Sequence, residues 1–352
     1  MPEAEAKGRG PGPVRAGFEI DEGALSQWMR DNVDGFDGLG RVEQFAGGQS
    51  NPTYLVHDQS REYVLRRKPS GPILKGAHAI EREYRLISAL HPTGFPVPRP
   101  YGLCEDEAVI GTPFYVMERV VGRNFWNTAF PEVPKEERAA YFDAMNATIA
   151  QLHTIDPAAV GLEDYGRPGN YFERQISRWS GQYFANEAAG RLPDMDALID
   201  WLQNNIPAGD DAAIVHGDFR CDNLLFHPTE PCVVAVIDWE LSTLGHPLAD
   251  FAYHLMVYRM PPGFSTGLLG IDLAAEGIPS EADYVAAYCR RTGRDSIEAL
   301  DFYLAFSFFR LCAIIHGIKG RLLSGNATSP NAAAAVEQLP RLAAIGLAQT
   351  KR

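Results

Sequence analysis

The chain has 352 residues, of which 45% are hydrophobic and 22% are charged, a composition typical of a globular protein with one large core or two lobes. Its formal net charge of -13 argues against a surface that binds nucleic acid or an anionic membrane, since both require clustered cations. The partners are therefore expected to be small molecules or neutral partners.

The cysteines and the N-terminus indicate the compartment. The five cysteines are widely spaced and include no C-x-x-C pair, which favours neither a disulfide framework nor a zinc site and predicts a reducing, cytoplasmic location. Residues 1–17 lack the apolar stretch of a signal peptide and are rich in Gly, Pro and charge, so we expect them to be disordered. No run approaches the roughly 20 apolar residues of a membrane span.

The first third of the chain alternates extended and helical patterns. Residues 41–67 contain two extended runs separated by polar turn residues, which predicts strands of a sheet. Residues 75–90 repeat apolar side chains at helical spacing, so we expect a helix that crosses this sheet. Extended runs at 99–104 and 109–117 predict further strands.

A Gly-containing joint near residues 118–123 predicts the boundary between two lobes. We expect an N-terminal lobe of residues 18–120 and a C-terminal lobe of residues 121–352. The pattern beyond the joint is mainly helical, and it breaks into short apolar pieces near 214–238 before helices resume at about 247. Helical patterns cover 135–155, 171–187 and 194–206.

Five polar side chains are crowded into one short stretch of the second lobe, HGDFRCDNLLF at residues 216–226. Asp218 and Asn223 lie five residues apart, and Asp238 follows in VIDWE after a predicted strand. This spacing matches the H-x-D-x-x-x-x-N loop and the later metal-binding aspartate of kinase-like proteins. One carboxylate accepts the proton of an incoming hydroxyl, while a second carboxylate and an amide oxygen hold Mg²⁺. Asp218 is thus the predicted catalytic base, and Asn223 and Asp238 are the predicted metal ligands.

On these motifs the chain resembles the aminoglycoside phosphotransferase and choline kinase-like superfamily of small-molecule kinases over roughly residues 40–330. The stretches GGQSNPTYLV, YVLRRKP and HGDFRCDN resemble more narrowly the branch whose members are fused to acyl-CoA dehydrogenases in animals. The resemblance implies an α+β, two-lobed protein kinase-like fold. An N-terminal antiparallel sheet with a crossing helix would precede a larger, mainly helical C-terminal lobe. It also implies ATP and Mg²⁺ as cofactors.

The resemblance assigns the nucleotide phosphates to Arg66, which occupies the place of the kinase strand lysine and keeps its positive charge. An arginine exposed on an edge strand is the alternative. Glu83 on the crossing helix is expected to pair with Arg66, as kinases fix this cation with a glutamate. Glu81 is the rival, and we favour Glu83 because it precedes Tyr84 in the apolar stripe.

The rest of the nucleotide site is expected in two places. The loop AGGQSNPTY would approach the phosphates, with Ser50 and Asn51 as donors, although a Gly-Gly between strands is more often only a turn. Met117, Glu118 and Val120 lie at the joint between the lobes, where kinase folds bind the adenine edge mainly through backbone atoms.

Four residues around the motif receive supporting roles from the resemblance. His216 is expected to pack under the loop, and Asp250 to anchor it through backbone amides. Arg220 would meet the transferring phosphate, with a salt bridge to Asp222 as the alternative. Glu240 would either assist a second metal or cap the next segment.

Three classes of function are compatible with this fold: a small-molecule O-kinase, a protein kinase, and a catalytically silent nucleotide-binding module. Fewer than ten residues separate Asp238 from the helix near 247, and this gap contains no A-P-E segment, which disfavours a protein substrate. A silent module would be expected to lack one of the three key groups. We therefore predict an ATP- and Mg²⁺-dependent small-molecule phosphotransferase.

The charge of the C-terminal region bears on the acceptor. Residues 253–352 hold eight Asp and Glu against ten Lys and Arg, whereas kinases of polycationic aminoglycosides line this region with acids. The predicted helix at 301–325 carries Arg310 and His316, which we expect to bind an acceptor with an apolar body and an anionic end, such as a hydroxyacyl-CoA. The alternative is a core helix with a charged outer face.

Overall fold

The computed structural model describes residues 10–45, 51–69, 79–167, 169–209, 211–262, 267–325 and 332–351. The chain divides into two compact units, Met1–Gly122 with Val234–Glu240 and Arg123–Val233 with Leu241–Arg352. The segment that carries Asp238 thus groups with the first unit, whereas the sequence prediction placed it in the second lobe. Two contacts explain the grouping: Val236 N donates to Pro96 O at 2.8 Å, and the Trp239 ring lies 6.0 Å from Phe95.

The first unit is built on an antiparallel sheet. Its strands are β1 (Pro11–Gly12), β2 (Arg41–Phe45), β3 (Thr53–His57), β4 (Glu62–Arg67), β5 (Pro100–Cys104) and β6 (Phe114–Glu118). Over the described residues the order is β1-β2-β3-β4-β6-β5, so β4 lies inside the sheet. Arg66 on β4 pairs with Thr53 on one side and Tyr115 on the other. The predicted antiparallel sheet is confirmed, and Arg66 is not on an edge strand.

Helices pack against this sheet. They are α1 (Glu22–Asn32), α2 (Ile80–Leu90) and the single turn α3 (Glu107–Ile110). Leu25 and Met29 of α1 form a buried cluster with Leu65 of β4. The neighbouring Arg66 reaches α2 instead, because successive strand residues point to opposite faces of a sheet. The crossing helix is therefore confirmed as α2, with its start at Ile80.

Three local expectations differ from the structure. Residues 10–17 are ordered, because Pro11 and Gly12 pair with Phe45 and Gln44; residues 1–9 lie outside the described part of the chain. Helix α1 was not expected, although Asp21 caps it by accepting from Ala24 N at 2.9 Å. The strand expected from 109 begins only at Phe114, because α3 occupies the preceding residues.

The second unit is mainly helical, as predicted. Its helices are α4 (Lys135–Thr154), α5 (Tyr171–Ala185), α6 (Pro193–Asn204), α7 (Pro247–Leu255), α8 (Glu281–Thr292), α9 (Leu300–Leu323) and α10 (Ala332–Gln349). Short strands interrupt them: β7 (Ala213–Val215), β8 (Leu224–Phe226) and β10 (Thr243–Gly245). A further strand, β9 (Val233–Val236), begins at the end of this unit and continues into the Val234–Glu240 segment of the first unit. β7 pairs antiparallel with β10, and the loop between β7 and β8 contains the HGDFRCDN motif.

Helix α9 is the core helix of the second unit. By length and composition it is the one helix among the described residues that could cross a membrane, but 72% of its most apolar window is buried inside the protein. It packs against α5, α6, α7 and α10, and against the two short turns Glu187–Ala189 and Met256–Arg259. Phe302 and Phe306 both make edge-on contacts with Phe172 of α5. Most of α9 is therefore a core helix, which was the alternative to an acceptor-binding helix in the sequence analysis.

Candidate active site

In the first unit, Arg66 and Glu83 form the predicted ion pair. Arg66 Nε lies 3.1 Å from Glu83 Oε2, and both side chains are largely buried. The contact is an ion pair without hydrogen-bond alignment, so Nε remains a buried donor with no acceptor among the described residues. The rival Glu81 instead pairs with Lys68, at 2.9 Å.

Arg66 also contacts the predicted metal carboxylate. Its Nη2 donates to Asp238 Oδ1 at 2.9 Å and lies 3.9 Å from Glu240 Oε2. Burial disfavours the charged guanidinium, but the attraction of Glu83 and its neighbours raises the pKa of Arg66 above its ordinary value, so Arg66 stays charged. A cation shared by three carboxylates leaves an excess of negative charge that a divalent metal would neutralise.

The backbone of Asp238 adopts a conformation that side chains disfavour. Its φ is 67°, in the left-handed region that glycine occupies most readily. Holding a residue with a side chain there costs on the order of 1–3 kcal/mol, and such residues cluster at functional sites. The Asp238 side chain is 39% exposed, so its carboxylate remains accessible to a ligand.

Two further side chains of the first unit hold the Glu83 carboxylate. Asn51 Nδ2 donates to Oε1 at 3.0 Å, and the Tyr115 hydroxyl donates to Oε2 at 3.1 Å. Burial raises the pKa of Glu83 to about 7, while the charge of Arg66 and the Tyr115 hydrogen bond act in the opposite direction. Asn51, expected as a phosphate donor, is thus fully buried and supports the ion pair in this structure. Ser50 lies outside the described residues.

The predicted adenine contacts are placed at the end of β6. Met117 is half-buried and pairs with Val64 on β4. Glu118 is exposed, and its backbone N–H donates to Arg99 O at 2.8 Å, so that amide is already used within the sheet. The carbonyl of Val120 accepts from Arg119 Nη1 at 2.9 Å. Adenine binding by these residues stays a prediction.

In the second unit, the loop after β7 holds the predicted base. Asn223 Nδ2 donates to Asp218 O at 2.9 Å and to Asp218 Oδ2 at 3.2 Å. Arg220 Nε lies 3.3 Å from Asp218 Oδ1, again without alignment, and Arg220 Nη2 donates to Asp222 Oδ2 at 2.7 Å. The alternative salt bridge of Arg220 with Asp222 is therefore present, together with a contact to the base.

Asp250 on α7 anchors this loop as the resemblance implied. Its carboxylate oxygens accept from His216 N and Gly217 N, each at 2.8 Å, and His153 Nε2 lies 3.3 Å away. Burial opposes ionisation, but the hydrogen bond and charge of His153 lower the pKa of Asp250 below its ordinary value. The His216 side chain is fully buried, and its Nδ1 accepts from Asp218 N at 3.2 Å, which fits the expected packing under the loop.

We expect Asp250→Ala to lower the free energy of unfolding by at least about 2 kcal/mol, because each buried amide left without an acceptor costs about 1–3 kcal/mol. Urea denaturation measures this change. Asp143→Ala is the matched control, since its carboxylate is 63% exposed and its ion pair with Arg291 is worth at most about 1 kcal/mol. Equal losses in the two variants would contradict the anchoring role.

Position 217 can accommodate only a glycine. Its φ is 82°, and a Cβ built on it would lie 2.6 Å from Leu241 O and 3.0 Å from Leu241 Cβ. Both features exclude a side chain at this position. The loop that carries Asp218 is therefore tightly packed against the backbone that follows residue 240.

The two predicted acceptor residues on α9 are placed differently from expectation. His316 is 1% exposed, and its Nε2 donates to Gly190 O at 2.7 Å. Burial lowers the pKa of His316, so the ring stays neutral and offers no charge to an anionic acceptor. The acceptor prediction for His316 is therefore not supported. Arg310 Nη2 donates to Gly217 O at 2.7 Å, so its guanidinium is engaged by the catalytic loop.

The side chains fit the cofactors implied by the resemblance. The Nε atoms of Arg66 and Arg220 are buried donors without an aligned acceptor among the described residues, which suits phosphate oxygens. Asp238 offers a carboxylate, and Asn223 uses Nδ2 in both its bonds to Asp218, which leaves its amide oxygen as a ligand. Mg²⁺ needs only one or two protein carboxylate or amide oxygens beside water and substrate phosphates.

Sequence reasoning missed two supporting residues, Tyr115 and His153. Tyr115 lies opposite Arg66 in the sheet, a register that could have been found only by knowing that β6 pairs with β4. His153 is buried between Asp250 and the Tyr288 hydroxyl, whose oxygen lies 2.8 Å from Nδ1. A lone histidine near the end of a helix carries no sequence signal for this contact.

Comparison with known proteins identifies related sequences. The chain is 43% identical to chicken (Gallus gallus) acyl-CoA dehydrogenase family member 11, in a match that covers 97% of this chain and 45% of that protein. It is 43% identical to mouse (Mus musculus) acyl-CoA dehydrogenase family member 10, over 91% of this chain and 30% of that protein. The chain spans less than half the length of these relatives.

Solved structures share the fold. A crystal structure described as a "putative aminoglycoside phosphotransferase" from Ralstonia eutropha JMP134 is 50% identical, with a TM-score of 0.88, over 95% of this chain and 99% of that one. Spectinomycin phosphotransferase, in complex with ADP and spectinomycin, is 14% identical with a TM-score of 0.61, over 96% of this chain and 100% of that one. At that identity the likeness concerns the fold alone.

A family model matches most of the chain. The model described as the phosphotransferase enzyme family, APH, matches residues 41–303, about three quarters of the chain. The narrower resemblance to the branch fused to acyl-CoA dehydrogenases is confirmed by the relatives named above. This chain therefore belongs to the APH phosphotransferase enzyme family.

Proposed function

We propose that the chain transfers the γ-phosphate of ATP, with Mg²⁺, to a hydroxyl of a small molecule. The observation that carries this proposal is the fixed Asp218 carboxylate. It is 23% exposed, contacts Asn223 and Arg220, and lies on a loop whose amides are bound by Asp250. A carboxylate held rigidly yet open to ligands is what a general base requires.

Each of the other groups has a role in the proposed reaction. Asp218 accepts the proton of the acceptor hydroxyl as that oxygen attacks the γ-phosphorus and the bond to the bridging oxygen breaks, so that ADP leaves. Arg220 balances the charge of the transferring phosphate. Arg66 binds the nucleotide phosphates, and Asp238 and Asn223 are the ligands for Mg²⁺. When bound, Mg²⁺ would neutralise negative charge on the phosphates. The ADP bound by spectinomycin phosphotransferase supports a nucleotide as the phosphate donor.

We further propose that the acceptor is not an aminoglycoside but a hydroxyacyl thioester such as a hydroxyacyl-CoA. Residues 253–352 lack the acidic excess that would attract a polycation, with eight acids against ten bases. The names of the relatives that contain a similar region, acyl-CoA dehydrogenase family members 10 and 11, support an acyl-CoA-like compound.

The five cysteines are free thiols, which supports the cytoplasmic location expected from the sequence.

An ATP-consumption screen of the purified protein with Mg²⁺ tests the function and the acceptor together. The panel contains aminoglycosides, choline-like amines, sugars and hydroxyacyl-CoAs. A matched pair sharpens the test: a hydroxyacyl-CoA should stimulate ADP release, and the same acyl-CoA without the hydroxyl should not. Efficient phosphorylation of kanamycin would overturn the acceptor proposal. Absence of ATP turnover with every acceptor and with water would overturn the phosphotransferase proposal.

A further inference from the structure

In the second unit, the chain that begins at Arg123 runs beside the HGDFRCDN loop and strand β8. The backbones of Arg123 and Phe226 exchange two hydrogen bonds, with N···O distances of 2.7 and 2.8 Å. Further along, the Thr128 hydroxyl lies 3.5 Å from Cys221 Sγ. Between these two contacts, the side chain of Asn124 also reaches the loop.

The Asn124 side chain binds the backbone on both sides of Asn223, the predicted metal ligand. Its Nδ2 donates to Asp222 O at 2.7 Å and to Leu224 O at 3.2 Å. A side-chain amide has two N–H groups, and these two bonds use both of them. The two carbonyls are 98 and 100 residues away from Asn124 in the chain, so the contact belongs to the tertiary fold.

The other contacts of Asn223 show what this backbone restraint controls. Its backbone N–H donates to Arg220 O at 2.9 Å, and its Nδ2 donates to Asp218 O and to Asp218 Oδ2. The amide nitrogen is thus used within the loop, and the amide oxygen is the atom that can bind a cation. The direction of that oxygen depends on the backbone orientation at residues 222–224, which Asn124 restrains.

We propose that Asn124 is a positioning residue for Asn223. By fixing the carbonyls of the two residues beside Asn223, it holds the Asn223 amide oxygen in the direction of the Mg²⁺ that we assign to Asn223 and Asp238. The inference rests on the proposed function, because it assigns a purpose to the orientation of a metal ligand. Asn124 lies outside the HGDFRCDN and VIDWE motifs and acts on the metal only through Asn223.

A role in metal binding and a role in stability alone predict different results. Loss of a residue that only stabilises the fold would lower the melting temperature, and the folded variant would bind nucleotide and metal as before. Loss of a residue that orients a metal ligand weakens metal binding roughly 10- to 100-fold, the range typical of the groups that hold metal ligands.

Asn124→Ala tests the proposal, because it removes both hydrogen bonds without adding charge. The probe is AMP-PNP, a non-hydrolysable ATP analogue, titrated calorimetrically into the protein at increasing Mg²⁺ concentrations. We expect the Mg²⁺ concentration for half-maximal AMP-PNP binding to rise about 10-fold or more. The affinity for AMP-PNP in EDTA should stay unchanged, because we assign the phosphates to Arg66 in the first unit.

Asn186→Ala is the matched control. Asn186 is also half-buried in the second unit, and its Nδ2 also donates to a backbone carbonyl that is distant in the sequence, His316 O, at 3.1 Å. Its Mg²⁺ dependence should equal that of the unmodified protein. Circular dichroism checks that each variant folds, and Asn124→Ser, which also lacks the amide donor, replaces Asn124→Ala if the alanine variant does not fold.

Two results would overturn the positioning role. One is an equal Mg²⁺ dependence in the Asn124→Ala and Asn186→Ala proteins. The other is a loss of AMP-PNP affinity in Asn124→Ala that has the same size in EDTA and in Mg²⁺, since this would show a change in the nucleotide site that does not involve the metal.

Asn223→Ala separates this inference from the function on which it rests. If the unmodified protein binds AMP-PNP without any dependence on Mg²⁺, or if Asn223→Ala retains the full dependence, the metal site of the proposed function fails. If Asn223→Ala loses the dependence but Asn124→Ala keeps it, only the positioning role of Asn124 fails.

Discussion

Replacement of Asp218 by asparagine should lower turnover about 10²- to 10⁴-fold, the contribution typical of general-base catalysis. The amide has nearly the shape of the carboxylate but cannot accept the proton of an attacking hydroxyl. Binding of ATP should remain close to normal, because we assign the nucleotide phosphates to Arg66 and the metal. Steady-state kinetics and a direct nucleotide-binding titration measure the two effects separately.

Asp143→Asn is the control for the Asp218 experiment. It makes the same chemical change in the same unit, at an exposed carboxylate that pairs with Arg291. Its turnover should equal that of the unmodified protein. A collapse of nucleotide affinity in Asp218→Asn would instead identify Asp218 as a binding or structural group.

Asp238→Ala should abolish Mg²⁺-dependent turnover, since it removes the carboxylate that we assign to the metal. The protein should still fold, because the Asp238 side chain is partly exposed and Arg66 keeps its contact with Glu83. Circular dichroism at increasing temperature checks the fold, and ADP release over a range of Mg²⁺ concentrations checks the metal.

The unmodified protein treated with EDTA provides the reference state for Asp238→Ala. Added Mg²⁺ should restore turnover to the EDTA-treated protein and have no effect on the variant. Recovery of the variant at high Mg²⁺ concentration would show that Asp238 contributes only part of the site. Glu240, 3.9 Å from Arg66, would then be the next carboxylate to replace.

Short spacings were enough to locate the predicted base and one predicted metal ligand. Asp218 and Asn223 are five residues apart on one loop, and the structure adds a hydrogen bond between them that was not predicted. The choice of Glu83 over Glu81 was also accessible, because helical periodicity separates the face that packs on the sheet from the exposed face.

The contacts that the sequence did not predict are hydrogen bonds from side chains to backbone carbonyls that are distant in the sequence. The sequence of α9 shows that Arg310 is a cation within an apolar helix, but not that the Gly217 carbonyl binds it. His316 looked similar in the sequence and is instead bound to Gly190 O in the core. Tertiary packing decides such cases, and periodicity within one helix contains no information about it.

The close packing of Gly217 against Leu241 means that residues 216 and 217 are needed for the fold, independently of activity, in related sequences. His216 and Gly217 are required by the space under and beside the loop, whatever the loop does chemically. A descendant that lost its activity would still need both residues to keep this fold. In such a pseudoenzyme, selection on the residue type should relax first at positions 218, 223 and 238, so substitutions should appear there first. The dipeptide His-Gly therefore marks the architecture, and the three positions that we propose as base and metal ligands should distinguish a working kinase from an inactive copy.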